Sequence, residues 1–529
     1  MLIKTGSVII SAMQRFLYVG VFFAGCASLA VELSASRLLG NYFGSSNIVW
    51  ATIIGLILIY LSIGYTIGGR WADRSPKTST FFSILCWASL LIGLIPLVAR
   101  PILRTAGLAF DQMQIGILIG SFISVIALFS LPVTLLGTAS PFAIRLLMDE
   151  KEQSGRLAGR VYTISTLGSF IGTFLPVLVL IPLVGTYCTF IALSAVLMVV
   201  SIIGLIGTGH GRIAMKYFWM PVLLILSAVF GLRGLDKSGK NVIFETDSAY
   251  NYIQVQENKG YHLLKLNEGQ GIHSIYHPEK DNYFGPWEQV LIAPFFYSPS
   301  RRIDEVNRIA LLGLAAGTSA NQAAAVFPNV KIDGYEIDPE IVEVAYKFFN
   351  MNTTHLDVHI EDARWGISHN QNKYDIISVD AYKPPYIPWH LTTREFFQAL
   401  FDHLVEDGTV VINVARIFDD RRLVNGLYAT LQSVFPSVYI VDLPNSFNSI
   451  IFATKQTTQS ENLIKNYILL SDNAATPELL LTTLEITILN LQDNPSSGEI
   501  FTDDHAPIEW ITNSMVIDLF RSGKMEELQ

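Results

Sequence analysis

The sequence predicts an all-α transmembrane bundle of about seven helices, followed by an α/β domain that carries a small β-rich lobe. Three observations predict this arrangement. Half of the 529 residues are hydrophobic, only 15% are charged and the mean hydropathy is +0.39, whereas a soluble domain carries about a quarter charged residues. The long apolar runs lie before residue 235. Alternating strand and helix patterns occur only after residue 240, so the two parts belong to different structural classes.

Charge divides the chain at the same place. Residues 1–233 contain 15 Lys and Arg against 6 Asp and Glu, whereas the remainder carries a net charge of −18. The acidic part is unsuited to nucleic acid, because phosphate contacts need clustered Lys and Arg. The three cysteines lie inside apolar runs and form no Cys/His cluster, so we expect neither a disulfide framework nor a metal site.

Seven apolar segments are long enough, or nearly so, to cross a bilayer as helices, which takes about 20 residues. They are residues 16–39, 47–69, 80–99, 114–136, 161–183, 187–207 and 217–233, the last being the shortest. The loops on one side, with the amino terminus, hold eleven Lys and Arg, and those on the other side hold three. This bias predicts a cytoplasmic amino terminus and the lipid bilayer as a partner. The small residues of Gly168–Thr173 favour close helix packing.

Short alternating segments after residue 241 predict strands of a β-rich lobe over 241–280. Strand and helix patterns then alternate, and the apolar strands predict a doubly wound parallel sheet. The predicted strands are residues 308–315, 330–338, 356–362, 374–380, 408–415, 438–443 and 449–455. The domain boundaries that follow are 1–235 for the membrane bundle, 241–300 for the lobe and 301–529 for the sheet domain.

Residues suited to a ligand follow four of these strands, where doubly wound sheets bind their ligands. The turn Gly313–Thr318 is made of small residues that let a ligand approach the backbone. Glu336 follows the second strand, 23 residues after Gly313, at an offset suited to binding ribose hydroxyls. Glu361 and Asp362 follow the third strand and could accept an adenine amine. Asp380 follows the fourth, and together these positions predict a nucleoside-type ligand.

Several motifs resemble the spermidine synthase (polyamine aminopropyltransferase) family. They are LLGLAAGTSANQ, DGYEIDPEIVEVAYKFF, IEDARWGI and YDIISVDAYKPPYIPWHLTTREFF, together with DSAYNYIQV and FTDDHAPIEW near the two ends of the soluble part. The whole chain resembles the bacterial group in which this domain follows a multi-span membrane domain. The resemblance implies a Rossmann-like class I methyltransferase fold behind a small β-domain. It also implies decarboxylated S-adenosylmethionine as aminopropyl donor, a small-molecule amine acceptor and a possible homodimer.

The resemblance also assigns roles to individual residues. Asp380 would deprotonate the attacking amine. The donor would be held by the turn after the first strand and by acidic residues after the second and third, namely Gly313, Ala315, Gly317, Glu336, Asp338, Glu361, Asp362 and Ala363. The acceptor pocket would include Tyr250 and the family glutamine, which is either Gln270 or His273. Apart from the resemblance, the aromatic ring of Tyr382 could stabilise a cationic substrate, and Asp504 could line the crevice. No metal is implied.

Two departures from the family pattern leave the substrate open. Ala316 stands where the family has an Asp that binds the amine of the decarboxylated donor. Lys383 replaces the second acid of the loop after the fourth strand. One alternative is therefore an S-adenosylmethionine-dependent methyltransferase acting on a membrane-associated substrate. Another is a transporter or scaffold whose Rossmann-like domain senses a nucleoside.

The predicted topology conflicts with the place where the donor is made. Seven spans from a cytoplasmic amino terminus would put the acidic domain outside, whereas the donor is a cytoplasmic metabolite. Either segment 217–233 does not span, or the domain faces outward. We expect a multi-pass protein of the bacterial inner membrane and favour a cytoplasmic catalytic domain.

Overall fold

The computed structural model describes residues 2–43, 47–113, 117–148, 154–232, 241–267, 271–298, 302–382, 386–416 and 420–522. The chain forms two compact units. One comprises Met1–Gly239 with Asp247–Ala249, and the other comprises Lys240–Thr246 with Tyr250–Gln529. The first is helical and the second contains both sheets.

The first unit consists of long apolar helices. They are α1 (Leu2–Phe43), α2 (Asn47–Arg74), α3 (Thr78–Met113), α4 (Ile117–Gly137), α5 (Ala139–Leu147), α6 (Ser154–Leu175), α7 (Ile181–Gly207), α8 (Gly211–Met215) and α9 (Trp219–Gly231), with a π-helical turn at Pro176–Leu180. Leu, Ile, Val and Phe side chains dominate these segments and supply both the buried core and a large exposed apolar surface.

Six helical stretches in the described residues are long and apolar enough to cross a membrane. The predicted count of seven is not confirmed. Predicted segments 161–183 and 187–207 both fall within one stretch of 54 residues, Ser154–Gly207. Gly185 interrupts that stretch with a φ of +79°, which glycine adopts without steric cost. A continuous helix of 54 residues would be far longer than the roughly 20 that a bilayer core requires.

Small residues allow the helices of this unit to approach closely, as predicted for Gly168–Thr173. A Cβ atom added at Gly168 or Gly172 of α6 would collide with the backbone of α1 at Phe22 or Cys26. Ser169 Oγ donates to the carbonyl oxygen of Gly25 at 3.1 Å. Backbones packed this closely gain van der Waals contact and interhelical hydrogen bonds, which hold helices together where the surroundings are apolar.

The second unit begins with the predicted β-rich lobe. It is a four-stranded sheet in the order β1 (Val242–Asp247), β2 (Tyr252–Asn258), β3 (Tyr261–Leu266) and β4 (Ser274–Tyr276). Strands β2, β3 and β4 pair antiparallel. Apolar residues of β2 and β3 pack against the 3₁₀ helix Trp287–Phe296, which is almost completely buried.

All seven strands predicted for the doubly wound sheet are present. The prediction of a parallel sheet is wrong for the last strands, which pair antiparallel because the short connection 443–447 joins two of them as a hairpin. The strands are β5 (Arg308–Leu312), β6 (Lys331–Glu336), β7 (Leu356–Ile360), β8 (Tyr374–Val379), β9 (Leu404–Ala415), β10 (Ser437–Asp442), β11 (Asn448–Thr454) and the short β12 (Leu491–Gln492). They lie in the order β12-β10-β11-β9-β8-β5-β6-β7, with parallel pairing from β7 to β9 and an antiparallel β11. This is a Rossmann-like, methyltransferase-type sheet.

The strand order fixes where a ligand binds. Strand β5 lies in the middle, and the chain goes from β5 to β6 on one side before it returns to β8 on the other. The order reverses between β5 and β8, so a crevice opens at their carboxyl ends. Helices cover both faces of the sheet. They are α10 (Thr318–Val326), α11 (Pro339–Phe348), α12 (Ala363–His369), α13 (Arg394–His403), α14 (Arg422–Gln432), α15 (Glu461–Ser471), α16 (Glu478–Leu489) and α17 (Ile508–Ser522).

Candidate active site

The turn after β5 forms the floor of the crevice. Gly313 has a φ of +99°, and a Cβ atom there would lie 2.5 Å from the carbonyl oxygen of Asp380. Gly317, at the amino end of α10, has a φ of +80°. Ala315 has a positive φ of 47°, an uncommon conformation for a residue with a Cβ atom. The predicted glycines therefore bring the β5 turn directly against the end of β8.

Glu336 ends β6 and points back toward this turn. Its Oε2 accepts the backbone N–H of Ala315 at 3.0 Å, and its Oε1 accepts that of Asp338 at 3.1 Å. Burial raises the pKa of the Glu336 carboxyl to about 7, because the charged form is poorly solvated there. The side chain is thus held by two backbone groups beside the small-residue turn, in the position that the sequence predicted.

Asp338 has a structural role in this arrangement. Its side chain is fully buried, accepts the N–H of Glu340 and caps α11. Asn251 Nδ2 donates to Asp338 Oδ2 at 2.9 Å, and Asn267 Nδ2 donates to Asn251 Oδ1 at 2.9 Å. Asp338 therefore joins the β-rich lobe to α11, and its backbone N–H donates to Glu336. Its predicted direct contact with the donor has no test here and stays a prediction.

Asp362 lies at the end of β7 and caps α12 by accepting the N–H of Trp365 at 2.9 Å. His390 Nε2 lies 3.0 Å from Asp362 Oδ2. The hydrogen bond with His390 holds the pKa of Asp362 below its ordinary value. Ala363 is buried beside it, and Glu361 lies against Gly366, where a Cβ atom would be 2.8 Å from Glu361 Oε1. An ionised Asp362 is the group best suited to accept a ligand N–H.

Asp380 follows β8 at the reversal of strand order. The Nδ2 of Asn413 on β9 donates to Asp380 Oδ1 at 2.9 Å. Burial raises the pKa of Asp380 to about 7. A carboxylate with a raised pKa in a crevice is typical of a general base, since it accepts protons near neutral pH more readily than an ordinary carboxylate does.

The predicted acceptor residues are less closely grouped. Tyr382 Oη donates to the carbonyl oxygen of Asn413 at 3.1 Å and accepts the N–H of Ala415 at 2.8 Å, so its hydroxyl fixes the loop after Asp380. Tyr250 is half exposed in the loop before β2. Asp504 is exposed in a tight turn near the carboxyl end. Gln270 lies outside the described residues.

Three residues of this region were not predicted from the sequence. Asn413 bonds the carboxylate of Asp380, and its Oδ1 is buried with no hydrogen-bond partner in the described part of the chain. Ser274 Oγ accepts the N–H of Ala316 at 2.9 Å and fixes the β5 turn. Ile337 follows Glu336 and is 39% exposed. In the sequence, Asn413 differs from its neighbours only in being a side-chain amide within the apolar run of β9, and this was the one local sign of a special role.

One group of possible metal ligands occurs among the described residues, away from the strand ends. Ligand atoms of Asp333, Asp357 and His359 lie within 4.8 Å of one another. However, Asp333 Oδ2 already accepts from Arg308 Nε at 3.0 Å and Tyr374 Oη at 2.7 Å. The guanidinium supplies the positive charge that a metal ion would bring, so we assign no metal to this cluster.

Comparisons with known proteins identify relatives of this chain. Residues 325–466 match the model of the spermine/spermidine synthase domain. A polyamine aminopropyltransferase of Caldicellulosiruptor saccharolyticus is 32% identical over 199 residues, which are 37% of this chain and 68% of that protein.

The chain belongs to the polyamine aminopropyltransferase family.

Two further relatives show the range of chemistry among similar proteins. A probable polyamine aminopropyl transferase of Bifidobacterium longum is 29% identical over 306 residues, which are 54% of this chain and 66% of that protein, just under two thirds. The eEF1A lysine and N-terminal methyltransferase of Mus musculus is 27% identical over 194 residues, 35% of this chain and 26% of that protein. This aminopropyltransferase-family chain is therefore a transferase.

We predict that Gly313→Ala damages the site of this aminopropyltransferase-family protein. The methyl group would meet the backbone of Asp380, and the positive φ would add strain. We expect the free energy of unfolding to fall by about 1–3 kcal/mol and donor affinity to fall by at least about tenfold. Calorimetric titration and thermal melting measure the two effects. Gly159→Ala, where a Cβ meets nothing within 4 Å, is the control, and equal behaviour of both variants would contradict the prediction.

Proposed function

We propose that this protein is a membrane-anchored aminopropyltransferase, which moves an aminopropyl group from decarboxylated S-adenosylmethionine to an amine. One observation carries the proposal. The backbone of Asp380 lies directly against the Gly313 turn at the reversal of strand order, and its half-buried carboxyl has a pKa raised to about 7. A base and a nucleoside cradle therefore share one crevice, as transfer from an adenosyl sulfonium to an amine requires.

The chemical step needs a free amine. An alkyl amine is protonated at neutral pH and has no lone pair for attack. Asp380 takes one proton from the acceptor. The nitrogen then attacks the carbon beside the sulfonium, so that an N–C bond forms, the C–S bond breaks and its electron pair stays on sulfur. The products are the alkylated amine and a neutral thioether, and alignment of the three reacting atoms supplies much of the rate.

Donor binding follows from the positions of the acidic strand ends. Glu336, once ionised, accepts hydrogen bonds from ribose hydroxyls, and Ile337 beside it offers an exposed apolar face to the nucleoside. Asp362 accepts the adenine amine. We assign the sulfonium chain to the small-residue turn Gly313–Gly317, where Gly313 packs against the backbone of Asp380 and Gly317 packs against Met351. Both glycines have a positive φ, which glycine adopts without steric cost.

Asn413 has two roles in this proposal. Its Nδ2 fixes one oxygen of Asp380, which orients the other toward the acceptor. Its own Oδ1 is a buried acceptor with no partner in the described residues, and such an atom is stabilised when it receives a hydrogen bond. An ammonium group supplies N–H donors for both Asp380 and Asn413, which supports an amine as acceptor.

Methyl transfer from S-adenosylmethionine is the second candidate, and Ala316 favours it. This residue is completely buried, and its N–H donates to Ser274, so it offers no carboxylate to the amine of a decarboxylated donor. The similarity to a lysine and N-terminal methyltransferase points the same way. The two candidates use the same base but break different bonds of the sulfonium. Aminopropyl transfer breaks the bond from sulfur to the aminopropyl chain, whereas methyl transfer breaks the bond from sulfur to the methyl group, and in each case the electron pair stays on sulfur.

For the membrane arrangement we propose an even number of spans and a cytoplasmic catalytic domain. The last of the six apolar stretches, Gly211–Gly231, comprises α8 and α9. We propose that it does not span, because α9 itself has 13 residues, about 20 Å at 1.5 Å per residue, which is shorter than the ~30 Å apolar core of a bilayer. Residues 154–207, divided at Gly185, then supply two spans. The amino terminus and the catalytic domain lie on the same side, where the donor is made.

A topology experiment checks this arrangement in the bilayer itself. We expect a carboxyl-terminal alkaline phosphatase fusion to be inactive and a fluorescent protein fusion, which folds in the cytoplasm, to be bright. Fusions after residue 209, before α8 and α9, serve as the internal reference. We expect them to report the cytoplasmic side, as the carboxyl-terminal fusions do. An active phosphatase at the carboxyl terminus would place the catalytic domain outside and exclude an even number of spans.

The direct test of function incubates the purified full-length protein with each donor and a set of amines, followed by mass spectrometry of the products. We expect aminopropylated amines from the wild type. Asp380→Asn keeps the shape and the contact with Asn413 but removes the base, so kcat should fall by roughly 10²–10⁴ while donor affinity stays within about twofold. A fully active Asp380→Asn variant would exclude Asp380 as the base, and methylated products alone would select the second candidate.

The raised pKa of Asp380 predicts a pH profile. At saturating donor and acceptor, kcat should rise with pH through an inflection near pH 7, because only the ionised carboxylate accepts a proton. Since the folded pKa lies above the ordinary value, the stability that this group contributes is present at low pH and is lost as pH rises through about 7. Asp380→Asn should therefore lose the inflection and melt no lower than the wild type at pH 8. A flat wild-type profile from pH 6 to 8 would contradict this assignment.

A further inference from the structure

The carboxyl-terminal motif Thr502–His505 has no part in the chemistry described so far, yet Asp503 holds several charge-assisted contacts. Arg364 Nη1 and Nη2 donate to Asp503 Oδ1 and Oδ2 at 2.8 and 2.7 Å. Thr393 Oγ1 donates to the same Oδ1 at 2.7 Å. A bidentate pair of this kind fixes both distance and orientation more strictly than a single hydrogen bond.

The segment around Asp503 is itself fixed. Thr502 and His505 exchange backbone hydrogen bonds of 2.9 and 3.0 Å and close a tight turn. The N–H of Asp503 donates to Glu395 Oε2 at 3.0 Å, and the N–H of Arg394 donates to the carbonyl oxygen of Phe501. Phe501 is completely buried. The turn is therefore anchored to the start of α13 through backbone groups as well as side chains.

Arg364 connects this turn to the donor end of the crevice. It follows Asp362 by two residues at the start of α12. Its Nη1 also donates to the carbonyl oxygen of His390 at 2.9 Å, and the ring of His390 bonds Asp362. Displacement of Arg364 would release the backbone of His390, and the imidazole on Asp362 would move with it.

The same contacts also involve the segment that begins at Asp380, the proposed general base. His390 and Thr393 lie at the far end of the segment that runs from Asp380 to α13. Asp503 thus joins two structures that must be aligned for transfer, namely the start of α12, which holds the adenine, and the end of the Asp380 loop.

We propose that the Asp503–Arg364 ion pair is a positioning clasp, which holds Asp362 and His390 in the geometry that binds the adenine of the donor. This inference rests on the proposed function, because it concerns the same donor site. Asp503 acts through Arg364 and His390 and does not touch the reacting atoms. Loss of the clasp therefore weakens donor binding and leaves recognition of the acceptor unchanged.

A double-mutant cycle on the full-length protein tests the clasp. Asp503→Ala, Arg364→Ala and the double variant are titrated calorimetrically with decarboxylated S-adenosylmethionine, and the KM for the acceptor amine is measured in parallel. We expect each single change to raise the donor Kd by about tenfold, as the loss of one charge-assisted pair does. The double variant should bind no more weakly than either single variant, because the two residues act as one unit. The acceptor KM should stay within about twofold.

Asp518→Ala is the matched control. Asp518 also lies in the carboxyl-terminal segment and pairs with Arg422 at 2.8 Å, with a similarly exposed side chain, but this pair joins α17 to α14 and not to α12. It should leave the donor Kd unchanged. If Asp503→Ala fails to fold, Thr393→Val removes only one hydrogen bond to Asp503 and should still raise the donor Kd several-fold.

The possible failures are distinguishable. Donor binding by Asp503→Ala and Thr393→Val within twofold of the wild type would overturn the clasp and leave the proposed function intact. An equal loss in Asp518→Ala would also overturn it, since the effect would then be general. A wild type that binds neither decarboxylated S-adenosylmethionine nor S-adenosylmethionine would overturn both the clasp and the proposed function.

Discussion

The candidate site depends on two poorly solvated carboxylates at the carboxyl ends of β6 and β8, which lie on either side of β5 in the sheet. Glu336 and Asp380 are both held where water solvates them poorly, and burial raises the pKa of each to about 7. Within the described parts of the chain, neither carboxylate has a basic side chain as a hydrogen-bonding partner. Backbone N–H groups stabilise Glu336 and a side-chain amide stabilises Asp380. Poorly solvated carboxylates lower the free energy of unfolding. We expect a ligand that donates hydrogen bonds to them to offset this loss of stability.

Backbone geometry makes this burial possible. The close approach of the Gly313 turn to Asp380 needs both a missing Cβ and a positive φ, so the position excludes other residues for two independent reasons. The β-rich lobe reaches the same turn through Ser274 and reaches α11 through Asn251. Polar contacts from the lobe therefore fix both the β5 turn and the start of α11.

Several acidic residues that look alike in the sequence have different roles in the structure. Glu336 and Asp380 lie at the crevice. One oxygen of Asp362 caps α12 and the other contacts His390. The oxygens of Asp338 cap α11 and accept from Asn251. Asp503 belongs to an ion pair with Arg364. The distinction arises from hydrogen-bond partners that come from distant parts of the chain, which spacing along the sequence does not reveal.

The sequence by itself determined the two structural classes, the seven main strands and the residues at their carboxyl ends, because hydrophobic periodicity and strand–helix alternation are local properties. It placed Asp380 and Glu336 at strand ends for the same reason, and their roles remain predictions. Tertiary structure decided the sheet order, the kink at Gly185 that divides the 54-residue apolar stretch, the contact of Asn413 with Asp380 and the pairing of Asp503 with Arg364. Asn413 lies 33 residues from Asp380, and Asp503 lies 139 residues from Arg364. Contacts over such separations depend on how strands and helices pack, and a single sequence carries no local signal for them.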